Sequence, residues 1–168
     1  MKKINLLLIT MLISSVLFAQ KIAITEVPAQ VTSDFKNRFP VADKVVWEKD
    51  NTLLKANFIN EGSKMEIAYQ NNAWQQTKWA IAIEFAPQKI KDYITQNYSA
   101  YKIKEFNFLD KNSSERLYEV VIMKKKKPNI TLIFDSTAIF LRNADEEVKK
   151  EEIKKEEIKK EEVKDVKK

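Results

Sequence analysis

The sequence predicts an α+β fold of two tandem units, each a helix followed by a four-stranded antiparallel meander, arranged in two layers. The first observation is a change of apolar period. Val31, Phe35 and Phe39 recur every four residues, whereas the segments that follow alternate with a period of two. The second observation is a restart of this pattern at Pro87, 59 residues beyond Pro28. One pattern repeated at a fixed offset indicates a duplicated unit.

Residues 1–19 are typical of an export signal. Lys2 and Lys3 supply a positive start, and the stretch from Ile4 to Phe18 is mostly aliphatic. This stretch is shorter than the roughly 20 residues that a membrane-spanning helix needs. We therefore expect cleavage after Ala19, no stable membrane anchor, and a periplasmic or secreted protein. A retained N-terminal anchor is the alternative.

The composition excludes several classes of function. The 168 residues include no His, no Cys and a single Gly. His and Cys are the commonest transition-metal ligands, and they supply the usual general base near neutral pH and the thiol nucleophiles. A single Gly does not suffice for a glycine-rich phosphate loop. We therefore expect no metal, no cofactor and no catalytic residue, and an enzyme would have to use carboxylate, Lys or Tyr chemistry.

The positive charge does not indicate a nucleic-acid partner. The formal net charge of +6 is spread along the chain, whereas nucleic-acid-binding proteins carry a clustered basic surface. Export from the cytoplasm also argues against such a partner.

The first unit covers residues 27–79. Val27-Pro28 is expected to begin its helix, because proline suits a first helical turn, and Pro40 is expected to end it. Alternating segments bounded by turn residues then predict four strands. These strands are 45–49, 53–59, 64–69 and 73–79.

The second unit covers residues 86–142 and follows a connector at 80–86. Its apolar helix positions match those of the first unit at one offset. They are Pro87, Ile90, Ile94 and Tyr98, which correspond to Pro28, Val31, Phe35 and Phe39. Four further strands are predicted at 102–109, 117–123, 129–134 and 138–142. The two units together form the predicted domain, residues 20–144.

Residues 145–168 form a charged, low-complexity tail with the repeat Glu-Glu-Val/Ile-Lys-Lys. Its apolar members are five residues apart and advance by about 140° on a helix, so they form no stripe that could be buried. The tail carries ten acidic residues and nine lysines, which is typical of a solvated helix or a disordered segment and not of a polybasic membrane anchor.

Several short segments are similar to the sequence motifs of a known family. They are Val27-Pro-x-x-Val, Phe39-Pro40, Lys44–Glu48, Phe58, the Tyr69–Trp74 hairpin, Pro87-x-x-Ile, Tyr98–Ile103, Tyr118–Val120 and Phe134-Asp135. With them the chain resembles the PepSY-like, beta-lactamase-inhibitor-like (BLIP-like) family of exported proteins from Bacteroidetes, over roughly residues 24–142. The resemblance implies a two-layer, BLIP-like α+β fold and no catalytic residues. The family's Asp-x-x-Gly hairpins lack glycine here, at Gln70–Ala73 and Asp135–Ala138, so these turns are expected to differ in detail.

Trp47, Trp74 and Trp79 are the candidate binding residues. A sheet with helices on one face leaves the other face free for a partner, and Trp is enriched at binding hot spots. The alternative is that they fill the core between helix and sheet. Period-two counting places Trp74 and Trp79 on opposite faces. The core is therefore favoured for Trp47 and Trp74, and both interpretations stay open for Trp79.

Two sets of charged residues are candidates for sites. Lys124–Lys127 could bind a phosphate or a lipid headgroup, but a solvated hairpin tip is favoured because Pro128 ends the run. Acid–base chemistry needs two converging carboxylates, and the spacing of the acidic residues predicts no such pair. The candidate acids are Asp34, Glu48, Glu66 and Glu119.

The sequence therefore predicts an exported, non-enzymatic binding or inhibitor-like module that engages a protein or peptide through its sheet face. The alternative is a structural or adaptor protein of the cell envelope that uses its charged C-terminal tail.

Overall fold

The computed structural model describes residues 20–146 and residue 150. Within them, nine antiparallel strands form one sheet in sequence order. The strands are β1 (Gln20–Ile22), β2 (Asp43–Asp50), β3 (Leu53–Asn60), β4 (Ser63–Gln70), β5 (Ala73–Ala80), β6 (Lys102–Lys111), β7 (Arg116–Met123), β8 (Ile130–Asp135) and β9 (Phe140–Asn143). The helices are α1 (Ala29–Arg38) and α2 (Gln88–Asn97), and a 3-10 turn precedes each, at Ile24–Glu26 and Ile83–Phe85.

Each helix begins directly after a proline and buries two aliphatic or aromatic side chains. Pro28 and Pro87 occupy the N-cap positions of α1 and α2. The α1 helix ends at Arg38, and the Phe39 N–H donates to the carbonyl oxygen of Phe35 at 2.9 Å. The starts of both helices and the end of α1 therefore lie where the neighbouring prolines place them.

Both helices lie on the same face of the sheet, which we call the helix face. Trp79 of β5 lies opposite Met65 of β4 on one side and Phe108 of β6 on the other. Because directly paired residues point to the same face, all three share one face. Met65 packs against the core under α1, and Tyr118, which is paired with Phe108, packs against the core under α2. We call the opposite side the open face, since neither α1 nor α2 lies on it.

Two separate apolar cores fill the space between the helices and the sheet. The first core consists of Val27, Val31, Phe35, Trp47, Leu54, Ala56, Phe58, Ile67 and Tyr69. The second core consists of Ala86, Ile90, Ile94, Phe106, Val120, Ile122, Leu132, Phe134 and Ala138. The sheet is continuous between them, because β5 pairs with β6 from Gln76 to Ala80.

Eight of the strands lie within two residues of their predicted limits. The pattern does not predict β1, which pairs with Trp47–Lys49 of β2. Three residues with one aliphatic side chain show no alternation, so β1 depends on its tertiary contact with β2.

The hairpins that lack glycine still adopt left-handed turns. Asn71 and Asn72 have φ values of 51° and 65°, and Asn tolerates this region better than most residues. In the other hairpin that lacks glycine, Asp135–Ala138, the left-handed residue is Ala138, with φ of 67°. Its side chain is buried in the second core.

The described body ends in a capped helical turn at Ala144–Glu146. Asn143 Oδ1 accepts a hydrogen bond from the Asp145 N–H at 3.0 Å, and Asn143 Nδ2 donates to Glu146 Oε1 at 3.2 Å. Asp145 Oδ2 accepts a further bond from the Thr131 N–H at 2.7 Å. The first two residues of the predicted charged tail are thus tied to the body.

The predicted export signal at 1–19 lies outside the described residues, as does the charged tail apart from residues 145, 146 and 150. No helix within the described part of the chain has the length and apolar character that crossing a membrane requires.

Candidate functional site

The three candidate tryptophans all lie on the helix face. Trp47 belongs to the first core, is 3% exposed, and has its ring centre 5.4 Å from that of Phe35. Trp74 packs against the same core, and the guanidinium of Arg38 lies 4.4 Å from the centre of its ring. Trp79 is partly exposed, and its ring centre is 4.7 Å from that of Phe108.

The placement of Trp74 and Trp79 on opposite faces is wrong, because the register of β5 shifts by one residue. Trp74 lies opposite Tyr69, whereas Gln76 lies opposite the preceding residue Ala68. Gln75 is therefore an extra residue on β5, which breaks the period-two count. Trp79 consequently points to the helix face, and an exposed position for it on the open face is also wrong.

Trp74 and Trp79 line a groove of about 510 Å³ on the helix face, beside the C-terminal end of α1. We call it the helix-face groove. Its lining consists of Arg38, Phe39, Asn60, Glu61, Ser63, Met65, Trp74, Thr77, Trp79 and Asp110.

A chain of polar contacts fixes one wall of this groove. Tyr69 donates its hydroxyl proton to Asp34 Oδ2 at 2.8 Å, and Arg38 Nε lies 2.7 Å from the same oxygen. Trp74 Nε1 in turn donates to Thr77 Oγ1 at 3.1 Å. The contacts hold the guanidinium of Arg38 against the ring of Trp74.

These contacts also shift two pKa values. Partial burial of Asp34 favours its neutral form, but the hydrogen bonds from Arg38 and Tyr69 outweigh burial, so the pKa of Asp34 is lowered. Burial, followed by the hydrogen bond to Asp34, raises the pKa of Tyr69. At neutral pH the lining residue Arg38 is therefore paired with a carboxylate that also accepts a hydrogen bond from a neutral phenol.

The open face carries a row of charged and polar side chains that we call the charge ladder. Lys78 Nζ lies 3.8 Å from Glu66 Oε1 and 3.5 Å from Glu119 Oε1. Asn107, which is 5% exposed, donates from Nδ2 to Glu119 Oε1 at 3.1 Å. Each of the three charged side chains is less than one third exposed, so the ladder is held in place by its neighbours.

A recess of about 630 Å³ borders the charge ladder, where the connector after β5 leaves the sheet. Glu66, Lys78 and Asn107 line it together with residues of the connector, Ala80–Ile83. A small apolar cluster lies beside the ladder, formed by Leu109, Leu117 and Ile133, against which Ala144 packs. The open face thus combines fixed charges with aliphatic side chains.

No protein-family model matches the chain, and no curated protein does. Its fold recurs in solved structures of Bacteroides proteins. A DUF2874 family protein from Bacteroides uniformis ATCC 8492 is 18% identical, with 70% of this chain and 88% of that chain covered and a TM-score of 0.62. A BLIP-like protein from Bacteroides fragilis NCTC 9343 is 16% identical, with 69% and 84% covered and a TM-score of 0.57.

The chain has the fold of this DUF2874 family protein and of this BLIP-like protein. A proposed periplasmic protein from Bacteroides eggerthii DSM 20697 shares it as well, at 15% identity, with 69% of this chain and 86% of that chain covered and a TM-score of 0.61. The predicted resemblance is therefore confirmed for the BLIP-like fold, and its PepSY-like part stays a prediction. Identities this low show the fold and not the activity.

The BLIP-like sheet brings together two acids that are far apart in sequence. Glu66 and Glu119 both approach Lys78, although their spacing predicts no convergence. This contact could be predicted only from the order and register of β4 to β7.

Within the described residues no group of His, Cys, Asp and Glu could hold a metal ion. Lys124–Lys127 are exposed at the β7–β8 turn, where Lys124 Nζ lies 5.7 Å from the ring centre of Tyr101.

Proposed function

We propose that this chain is an exported, non-enzymatic binding module that engages a protein or peptide partner through the open face of its sheet. The observation that carries the proposal is the charge ladder with the recess and the aliphatic cluster beside it. Binding surfaces combine an apolar centre with satisfied polar groups in this way.

The geometry of the ladder suits recognition. Lys78 is held between Glu66 and Glu119, and Asn107 holds Glu119 in turn. A partner therefore meets charges whose positions are already set, which lowers the entropy that binding would otherwise cost. Fixed charges of both signs also favour one partner over others, since a mismatched charge is repelled.

Three further observations support the proposal that the protein is exported and that it is not an enzyme. Residues 1–19 have the pattern of an export signal. A protein with the same fold is described as a proposed periplasmic protein, and another as BLIP-like. The chain also lacks the His and Cys side chains that most hydrolytic sites require. We accordingly place this module in the periplasm or outside the cell.

We further propose that the two halves, residues 27–79 and 86–142, are copies of one helix-plus-four-strand unit. Both helices have ten residues, and each follows a 3-10 turn and a proline. Val31 and Phe35 are buried in α1, as Ile90 and Ile94 are in α2. Corresponding positions with the same packing role support duplication over chance similarity.

Affinity capture from an envelope extract, quantified by mass spectrometry, tests the open face. The open-face variant combines Lys78→Gln with Val121→Arg. It removes a charge of the charge ladder and adds bulk on the same face of β7, two residues after Glu119. We expect its captured partner to fall about tenfold, the size of one lost charged contact. The control is Lys36→Gln on the exposed side of α1, which should capture as well as the unchanged chain. Equal capture by both variants would exclude the open face.

The alternative function is that of an envelope structural or adaptor protein whose charged tail meets the partner. The bonds of Asn143 and Asp145 favour it, because they anchor the start of the tail to the body. Removal of residues 147–168 leaves those bonds in place. If the truncated chain loses the partner and the open-face variant keeps it, the adaptor function is correct and the open-face proposal is not.

A further inference from the structure

We propose that the helix-face groove binds a basic side chain, Lys or Arg, presented by a peptide or protein partner. This site lies on the opposite side of the sheet from the charge ladder, and it does not depend on the proposed function of the open face.

The aromatic walls of the groove suit a cation. The guanidinium of Arg38 stacks on Trp74, 4.4 Å from the ring centre, so one indole ring of the groove already holds a cation and the ring left for a ligand is that of Trp79. Trp79 forms a further part of the lining, and its ring is partly exposed. The faces of indole rings attract cations through their quadrupole, and Trp is the most effective aromatic residue in this respect.

The charges of the lining also favour a cation. Asp34 lies 2.7 Å from Arg38 and balances the positive charge of that wall. Asp110 has a distant partner, Arg116, at 3.7 Å, whose side chain is 70% exposed. Glu61 is exposed and forms no ion pair within the described part of the chain. A chain with a formal net charge of +6 thus has a groove with two loosely engaged carboxylates.

A buried acceptor in the lining lacks a donor. The Oδ1 atom of Asn60 is buried and accepts no hydrogen bond from the residues that the structure describes. Burying such an atom costs free energy unless it has a hydrogen-bond partner. An ammonium or guanidinium group supplies N–H donors and has no acceptor, which matches a lining where Asn60 Oδ1, Glu61 and Asp110 all present acceptors. A carboxylate ligand would be repelled by the two acids.

The volume of the groove fits a side chain with part of its backbone. About 510 Å³ is within the range of small-ligand sites in proteins. The aliphatic stem of a Lys or Arg side chain can lie along Met65 and Phe39 while its charged end reaches the carboxylates. We therefore assign the groove to a basic residue of a peptide chain.

Titration of the purified protein with the peptide acetyl-Gly-Arg-Gly-amide tests this site. The chain has three tryptophans, so their indole N–H signals can be followed by NMR and assigned with Trp79→Phe. We expect saturable shifts at Trp74 and Trp79 and none at Trp47, which lies in the first core. The matching citrulline peptide is neutral and of equal shape, and should bind about tenfold more weakly, as expected for the loss of a charged hydrogen bond.

The double variant Glu61→Gln, Asp110→Asn should weaken binding of the arginine peptide about tenfold. Its matched control is Glu84→Gln, Asp92→Asn, two exposed acids beside α2, which should leave the affinity unchanged. Added salt should also weaken binding, because exposed charges are screened. The proposal is overturned if the Trp79 signal does not saturate, if the citrulline peptide binds equally, or if both double variants behave alike. Lys78→Gln should not affect this titration, which separates the two proposals.

Discussion

Asp34 is the residue that connects α1 with the sheet through polar contacts. Its Oδ2 atom accepts from Tyr69 of β4 and lies 2.7 Å from Arg38, which in turn covers Trp74. One carboxylate therefore positions two side chains that lie on different elements. Its protonation should weaken both contacts at once.

The lowered pKa of Asp34 predicts a contribution to stability that depends on pH. The contribution is complete above the unfolded pKa, near the usual value of 3.8, and is lost as the pH falls through the lower folded value. We expect Asp34→Asn to reduce the free energy of unfolding by about 1 kcal/mol at neutral pH. The difference from the unchanged protein should shrink as the pH is lowered from neutral to acid, through the folded pKa. Urea unfolding at the two pH values measures both quantities.

The control for this prediction is Asp92→Asn on α2. Asp92 is exposed and accepts a hydrogen bond from Gln88 within the same helix. We expect a change within about 0.5 kcal/mol at either pH. A difference for Asp34→Asn that is the same at neutral and acid pH would contradict the assignment to its charge.

At the scale of the elements, the turn between β3 and β4 depends on one glycine. Glu61 and Gly62 have φ values of 50° and 80°, the arrangement of a two-residue hairpin turn. A Cβ atom added at Gly62 would meet no atom within 4 Å. Any cost of a side chain at this position therefore comes from the backbone alone.

Gly62→Ala should lower the free energy of unfolding by about 1 kcal/mol, the usual cost of a left-handed alanine. Gly62→Asn should cost less, because Asn tolerates this conformation. The urea midpoints of the two variants give the comparison. Equal losses for Ala and Asn, or a loss several times larger, would show that the side chain and not the backbone causes the effect.

The elements were predictable where local chemistry defines them. Pro28, Pro40 and Pro87 mark the helix limits, and alternation with turn residues marks eight strands. The shift at Gln75 was not predictable, because an extra residue in a strand leaves no mark in composition. This one residue is the reason why Trp79 lies in the helix-face groove and not on the open face.

The candidate sites were less predictable than the fold. Trp47 lies in the first core, which is the position that the sequence favours for it. The contacts of Lys78 with Glu66 and Glu119 join three strands. Asn60 and Asp110 line the same groove only because of the order of β3 to β6. Such groups meet through strand pairing over long separations, which spacing along the chain does not show.

At the scale of the whole molecule, one sheet connects two cores that share no residue. The backbone pairing of β5 with β6 should make the two cores unfold together. Opening either core would expose this shared pair of strands. The distribution of tryptophan makes this testable. All three lie between residues 47 and 79, so fluorescence follows the first half, whereas far-UV circular dichroism follows the whole sheet.

Ile90→Ala in the second core should destabilise the protein by about 2–5 kcal/mol. We expect the fluorescence and circular dichroism transitions to move together by the same amount, although Ile90 touches only the second core. Val31→Ala in the first core is the matched change and should also move both. A fluorescence midpoint that is unaffected by Ile90→Ala would show that the halves unfold independently.

The two outermost strands of the sheet, β1 and β9, have only three and four residues. The backbone of β2 is itself irregular near Lys44, where φ is 53° and the register with β3 shifts. Long regular edges invite the addition of a foreign strand, either as aggregation or as peptide recognition by backbone pairing. This sheet offers little backbone for either. Recognition of the kind proposed above would therefore depend on the side chains of the two faces and be sensitive to single substitutions there, and the short outer strands also limit edge-to-edge association.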